Sequence, residues 1–247
     1  MLAEALAAEG IASARIDKRG MFASMPAVKD GNDVTIEDYA SDVHSWVRSL
    51  RAKAGVRCVW VLGHSEGALV AEVAAQDADG ICGIILVAGM GRKLADVLRA
   101  QLQANPANAP LMAQALPAIA KLEAGQRVDV TGMDPRLAPL FHPAVQGFLI
   151  DEMAKDPVKL LAAYQGPVLV LQGTSDLQAS VQDARMLAAA RPGVQLVLLS
   201  GVNHVLKAAP EDRTANLATY ADPSLPLAPG VAGTIARFIK AHTAPSL

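Results

Sequence analysis

The chain has few aromatic residues, few charges and only two cysteines, and these shortages exclude several classes of protein. Aromatic residues make up 4% and charged residues 19% of the 247 residues, and the formal net charge is −2. No basic stripe is present, so a nucleic-acid or anionic-membrane partner is not expected. The longest apolar runs are strand-sized, too short for a membrane span. The hydrophobic fraction of 52% excludes disorder and indicates a globular protein with a large core.

Sequence signals for metals, nucleotides and secretion are also missing. No His, Cys and Asp cluster has metal-ligand spacing, and neither a G-x-G-x-x-G sequence nor a P-loop is present, so we expect no cofactor. The first ten residues lack the basic region of a signal peptide, which favours a cytoplasmic protein. Cys58 and Cys82 lie in predicted strands without C-x-x-C spacing. We therefore expect two buried free thiols rather than a disulfide or a redox pair.

Strand-like and helix-like patterns alternate through most of the chain. Apolar runs predict strands over residues 11–16, 56–62, 81–88, 167–173 and 194–199. Helical patterns cover residues 2–9, 35–54, 68–75, 181–191 and 231–241. This alternation predicts an α/β fold with a doubly wound, mainly parallel sheet. Between residues 91 and 165 the pattern is helical only, which predicts a helical cap inserted into a core of residues 1–90 and 166–247.

One motif suggests a nucleophile. The pattern G-x-S-x-G is met by Gly63-His64-Ser65-Glu66-Gly67. A predicted buried strand precedes the motif and a run of strong helix formers follows it, which is the strand–turn–helix setting of a nucleophile elbow. We expect a side chain at either glycine of the motif to clash where strand and helix nearly touch.

An acid and a base for the serine should follow later strands, in the chain order serine, acid, histidine. Asp176 comes just after the strand that ends at residue 173, and His204 follows the strand that ends at residue 199. Asp183 and Glu211 are the alternative acids. The other four histidines lie in the elbow, in a helix, in the cap and in the C-terminal tail, and they fit the role less well.

These positions predict a division of chemical labour. Ser65 would attack an acyl carbonyl, and His204 would take the proton of the serine and return it to the leaving group. Asp176 would hold the imidazole in the productive tautomer.

The quoted motifs resemble those of the α/β-hydrolase superfamily, in particular bacterial serine esterases that carry an Asp-Lys-Arg-Gly segment. LAEALAAEGIASARIDKRG is similar to the first helix and following strand of that family, and GHSEGA, GTSD and GVNH resemble its nucleophile, acid and base motifs. The resemblance covers essentially the whole chain, with the cap the least diagnostic part. It implies hydrolysis of small carboxylic esters through an acyl-enzyme, without a cofactor.

The sequence departs from the family at its start. Family members place three strands and a Gly-rich loop before that first helix, and the loop normally supplies one of two backbone N–H groups for the oxyanion hole. The amide of Glu66 is the donor that remains in the motif. We expect the strand at 11–16 to pair directly with the elbow strand, giving five strands in chain order, so that the loop holding Gly20 and Met21 supplies the second N–H. The resulting open edge would favour a homodimer.

Two functions from different classes follow. The first is a serine hydrolase acting on small-molecule esters, with thioesterase, lactonase and amidase activities as alternatives within the class. The second is a non-catalytic or weakly active hydrolase-like binding protein, since the oxyanion donors are incomplete.

Overall fold

A computed structural model of the protein describes residues 1–243 and contains a parallel sheet of four strands. The strands are β1 (Val59–His64), β2 (Ile81–Val87), β3 (Val168–Gly173) and β4 (Val194–Leu199). They lie side by side in chain order, and each neighbouring pair is parallel. Helices supply the crossover that each parallel pair requires. The prediction of an α/β fold with a mainly parallel sheet is confirmed.

The α-helices within residues 1–243 follow the predicted pattern, except for the helix at Arg213–Ala218, which was not predicted. They are α1 (Leu2–Ala8), α2 (Ile36–Ala54), α3 (Glu66–Ala74), α4 (Leu94–Gln103), α5 (Met112–Glu123), α6 (Gln146–Ala154), α7 (Pro157–Ala163), α8 (Val181–Ala189), α9 (Arg213–Ala218) and α10 (Val231–His242). Thr35 caps α2, and its hydroxyl and the carboxylate of Asp38 form the reciprocal bonds of a capping box. None of these helices is long and apolar enough to cross a membrane.

The sheet is covered on both faces, as in a doubly wound fold. Ile85 and Val87 of β2 pack with α1 and α10 on one face. Ile84 and Leu86 point the other way and pack with α2, α3 and α8. Successive residues of β2 therefore fill opposite cores, which explains why this strand is a continuous apolar run.

The helices between β2 and β3 divide into two groups. Helices α4, α5 and α6 surround an apolar cluster of their own that includes Ile119 and Phe141. Helix α7 differs, because its Leu161 joins the core beneath the sheet. The division of the chain into a core and a cap over residues 91–165 stays a prediction.

The expected strand at residues 11–16 is wrong. Residues 12–17 form no backbone–backbone hydrogen bond within the described chain, and β1 pairs only with β2. The segment is anchored at both ends. Ile11 packs with α1 against the α10 core, and the Arg19 guanidinium binds the Asp42 carboxylate of α2 at 2.6 and 2.7 Å. These anchors hold the segment apart from β1, so the sheet has four strands instead of five.

A cavity of about 350 Å³ takes up the space left beside β1. Ile16 and Lys18 line one side of this cavity, and residues 61–65 of the β1 edge line the other. The homodimer that an open edge would favour stays a prediction.

The two cysteines form a disulfide, so the expectation of free thiols is wrong. Cys82 lies on β2 at the point where the β1–β2 register shifts, because Val59 pairs with Ile81 while Trp60 pairs with Gly83. Cys58 directly precedes β1, and the two Cα atoms are 5.1 Å apart. The pairing of β1 with β2 places the two thiols next to each other, and their spacing in the sequence does not predict this contact. A disulfide of this kind typically stabilises a fold by about 2–4 kcal/mol.

Glu72 is an unusual residue within α3. Its side chain is 1% exposed, and neither carboxyl oxygen has a hydrogen-bond partner in the described residues. Burial raises the pKa of this carboxyl well above its ordinary value of 4.5, and the negative charge of Asp156 raises it further. The folded protein therefore holds this proton to a higher pH than the unfolded chain does.

We predict that Glu72 makes the fold less stable as pH rises above about 4.5, the ordinary pKa that applies to the unfolded chain. Because the native state binds the extra proton, the free energy of unfolding falls with increasing pH through this window. The Glu72→Gln variant has no carboxyl to titrate at this position. The difference in free energy of unfolding between this variant and the wild type should therefore grow in favour of the variant from pH 5 to pH 8. Denaturant titrations at several pH values measure this. Glu211→Gln, at an exposed glutamate, is the control, and a gap that does not change with pH contradicts the prediction.

Candidate active site

Ser65 occupies the tight turn between β1 and α3. Its backbone has φ 55° and ψ −122°, a strained conformation for a residue with a side chain. The Ser65 N–H donates to the carbonyl of Val87 on β2 at 2.9 Å, which ties the turn to the sheet. A Cβ on Gly63 would lie 1.9 Å from the carbonyl oxygen of Gly67. The strand–turn–helix setting expected for the motif is therefore present, and Gly63 is required by close contact.

Gly67 differs from this expectation. A Cβ at this position would meet no neighbouring atom within 4 Å. Gly67 instead lines the cavity beside β1, together with Ser65. A close contact therefore does not require glycine at this position.

His204 and Asp176 lie in the loops that follow β4 and β3. The two side chains are 7% and 1% exposed, and His204 Nδ1 is 2.9 Å from Asp176 Oδ2. The carboxylate also accepts from the N–H groups of Gln178 and Ala179, at 2.7 and 3.0 Å. A carboxylate that is already an acceptor favours the imidazole tautomer with its proton on Nδ1. That tautomer leaves His204 Nε2 able to accept a proton.

His64 links the elbow to the histidine loop, a role that sequence reasoning missed. Its Nε2 lies 2.7 Å from the carbonyl oxygen of His204, and the two rings are 4.8 Å apart at their centres. Burial lowers the pKa of His64, which favours the neutral ring. A neutral ring protonated on Nε2 donates to that carbonyl. The residue before Ser65 therefore brings the His204 loop to the elbow.

A second missed feature is a buried amide network behind the acid and the base. Asn203 Nδ2 donates to Asn216 Oδ1 at 3.2 Å and to Thr219 Oγ1 at 2.7 Å. Asn216 Nδ2 in turn donates to the carbonyl of Ser175 at 2.8 Å. Both asparagines are 1% exposed. Asn203 precedes His204 and Ser175 precedes Asp176, so Asn216 joins the two loops. Asn203 stands beside the base in the sequence, but nothing there marks Asn216.

The alternative acids lie in other environments. Asp183 is fully buried and binds the Arg92 guanidinium at 2.7 and 2.8 Å, and it caps α8 through Ser180. Glu211 is exposed. Neither carboxylate contacts a histidine ring in the described residues, whereas Asp176 does.

The structure corrects the expected oxyanion donors. The Gly20 N–H donates to the Ser24 carbonyl at 3.0 Å, and the Met21 N–H donates to the Lys18 carbonyl at 2.9 Å. Both amides are therefore used within their own loop, and neither residue lines the cavity that holds Ser65. Glu66 is the first residue of α3, where a helix N–H has no intrahelical acceptor.

The cavity beside Ser65 is mostly apolar but holds one ion pair. Its apolar lining includes Val43, Val61 and Val70. Lys18 Nζ binds the Glu66 carboxylate at the cavity wall. Within residues 1–243, no group of three or more His, Cys, Asp or Glu side chains is placed to hold a metal ion.

Comparison with known proteins agrees with this architecture. The protein BpoC of Mycobacterium tuberculosis H37Rv has a structure with a TM-score of 0.55 at 19% identity, covering 92% of this chain and 81% of its own. Rv0554 of Mycobacterium tuberculosis gives a TM-score of 0.54 at 18% identity, covering 92% and 79%. These likenesses show the fold. A search of curated proteins found no significant match.

A family model described as serine aminopeptidase, S33, matches residues 1–208, which is most of the chain. The family is one of α/β hydrolases, and the resemblance read from the sequence is confirmed. The chain belongs to the serine aminopeptidase S33 family and is an α/β hydrolase.

Proposed function

We propose that this hydrolase cleaves small carboxylic esters through an acyl-enzyme formed on Ser65. One observation carries the proposal: His204, whose Nδ1 is 2.9 Å from Asp176 Oδ2, also contacts His64, the residue before Ser65 in the strained turn. A serine hydroxyl is a weak nucleophile unless an oriented base takes its proton. The three residues have the types and the chain order that such a relay needs.

The reaction would run in two halves. Ser65 Oγ attacks the acyl carbon as His204 Nε2 takes the serine proton, and the carbonyl electron pair moves onto oxygen. Collapse of this tetrahedral intermediate breaks the bond to the alcohol, which leaves with the proton from His204. Water then repeats the sequence on the acyl-enzyme. Asp176 stays ionised throughout and stabilises the imidazolium.

Leaving-group chemistry favours an ester over an amide as the substrate. A cavity of about 350 Å³ with an apolar lining fits a small acyl group. An alkoxide or phenolate leaves more readily than an amine, so an ester places less demand than an amide on the oxyanion donors of the site. We further propose that residues 91–165 act as a cap that shapes substrate choice. Thioesters, lactones and amides are the alternative substrates to be compared with esters.

The bonding of the Gly20 and Met21 amides within their own loop supports one rival, a hydrolase-like binding protein with little or no catalysis. Removal of one oxyanion donor typically slows an enzyme by about 10²–10³. A binding protein would keep the fold and the cavity without turnover.

We predict that Ser65→Ala lowers kcat for p-nitrophenyl acetate by at least about 10³-fold, because the attacking oxygen is lost. Steady-state assays on both proteins measure this. A fluorophosphonate should label the wild type at Ser65 alone, as peptide mapping would show. Ser41→Ala, at an exposed serine on α2, is the matched control.

Three results would count against this function. Unchanged activity in Ser65→Ala removes Ser65 from the role, and so does labelling at another residue. A wild type that neither turns over the ester nor takes the label supports the binding protein.

We also predict that Asn216→Ala lowers kcat by about 10- to 100-fold while KM changes little, because the loops carrying His204 and Asp176 lose their shared anchor. The unfolding free energy should fall by about 1–3 kcal/mol, since buried polar groups are left unpaired. Ile84→Val, a buried change on β2 that costs about 0.5–1.5 kcal/mol, is the control for general destabilisation. An equal loss of kcat in both variants would refute a positioning role.

A further inference from the structure

We propose that the Lys18 ammonium acts as the second oxyanion donor, beside the Glu66 amide. The inference rests on the proposed attack of Ser65 on a carbonyl, and it assigns the negative charge that this attack creates to a named residue. Lys18 would be a catalytic residue, because it would touch the reacting oxygen.

The need for such a donor follows from the backbone. The tetrahedral intermediate carries a full negative charge on one oxygen, and preorganised donors normally stabilise it. The Glu66 N–H lies at the first turn of α3, next to Ser65. The nearby loop amides of Gly20 and Met21 donate to the carbonyls of Ser24 and Lys18. Among the described residues, the Glu66 amide is therefore the expected backbone donor, and the amides of Gly20 and Met21 are already bonded within their own loop.

Lys18 is placed to act as a second donor. It lines the same cavity as Ser65 and Glu66, and it is the one lysine or arginine among the described residues of that lining. Its Nζ binds the carboxylate of Glu66, whose own N–H is the remaining donor. The ammonium therefore lies at the start of α3, on the side where residues 12–17 stand apart from β1.

Two aromatic rings hold the ammonium in this position. Lys18 Nζ lies 3.9 Å from the centre of the Tyr39 ring and 5.4 Å from that of Phe148. The Lys18 side chain is 30% exposed. Partial withdrawal from water strengthens the attraction of a cation for a new negative charge.

The charges around Lys18 nearly cancel before the reaction, and the oxyanion then adds a negative charge. Glu66 compensates Lys18 in the resting protein. Glu152 is a further carboxyl near them, and burial with the charge of Glu66 raises its pKa to about 8, so it is largely neutral at pH 7. Asp42 lines the same cavity but is paired with Arg19. The cluster of Lys18, Glu66 and Glu152 thus has almost no net charge. When the oxyanion forms, Lys18 is the cation available to pair with it.

The step needs no additional reagent. Ser65 Oγ forms a bond to carbon, the carbonyl π pair moves onto oxygen, and His204 holds the serine proton. Lys18 donates a hydrogen bond to this oxygen and keeps its proton. When the C=O bond reforms, the bond to the leaving oxygen breaks, and that oxygen takes the proton from His204.

The test compares Lys18→Met with Lys18→Arg on p-nitrophenyl acetate, a neutral ester that offers no anion for Lys18 to bind. Lys18→Met should lower kcat by about 10²-fold with KM within about threefold, since the interaction exists only in the transition state. Lys18→Arg keeps the positive charge, so its kcat should lie within about tenfold of the wild-type kcat. Lys53→Met removes an exposed lysine at the end of α2 and is the matched control, with no change expected.

A purely structural role for Lys18 gives a different pattern. If Lys18 only holds Glu66 in place, Glu66→Gln breaks the same contact and should lose as much kcat as Lys18→Met. If Lys18 acts through its charge, Glu66→Gln should lose far less, because the ammonium remains. Melting temperatures of all variants identify any that are misfolded, and Lys18→Gln then replaces Lys18→Met.

The outcomes separate this inference from the proposed function. Ser65-dependent turnover that is equal in the wild type and Lys18→Met overturns the role of Lys18 and leaves the hydrolase standing. A loss confined to KM overturns it as well, because that pattern indicates ground-state binding. Absence of both turnover and Ser65 labelling in the wild type overturns both proposals.

Discussion

At the end of β1 the backbone comes so close to the first turn of α3 that a Cβ on Gly63 would lie 1.9 Å from the Gly67 carbonyl oxygen. The chain must reverse direction between these two glycines, and Ser65 takes a positive φ of 55° to do so. Such a conformation costs about 1–3 kcal/mol and persists only where its surroundings enforce it. The bond from the Ser65 N–H to Val87 supplies part of that enforcement. This turn places Ser65 at the cavity and Glu66 at the start of α3.

The parallel sheet then decides what can stand beside the turn. Because all four strands are parallel, the loops after β1, β3 and β4 leave the sheet at the same side, where the carboxyl ends of the strands lie. Asp176 and His204 reach each other there across 28 residues of chain, and His64 connects their loop to the elbow. Ordered loops at that side need internal bonds, and the amides of Asn203 and Asn216 supply them inside the protein.

Local patterns in the sequence were enough to predict the four observed strands, the helices other than α9 and the residue types around the elbow. Features that depend on lateral packing were not predicted. The 11–16 run has a strand-like pattern, but anchors in α10 and α2 decide where it lies. Cys58 and Cys82 meet through a register shift between two strands. The Gly20 and Met21 amides donate to carbonyl groups of their own loop, in a segment that does not pair with the sheet. Each error has a long-range cause that no short pattern contains.

An ammonium and a backbone amide stabilise an oxyanion in different ways. An amide dipole is held rigidly by its helix, whereas the Lys18 ammonium must exchange one partner for another. Its present partner, the Glu66 carboxylate, is 35% exposed, and ion pairs of that kind are worth about 0–1 kcal/mol. Water can replace Lys18 at Glu66 at little cost, while a charged donor to an oxyanion inside a cavity is worth several times more. The exchange therefore favours the transition state, and the weakness of the resting ion pair is what makes it effective.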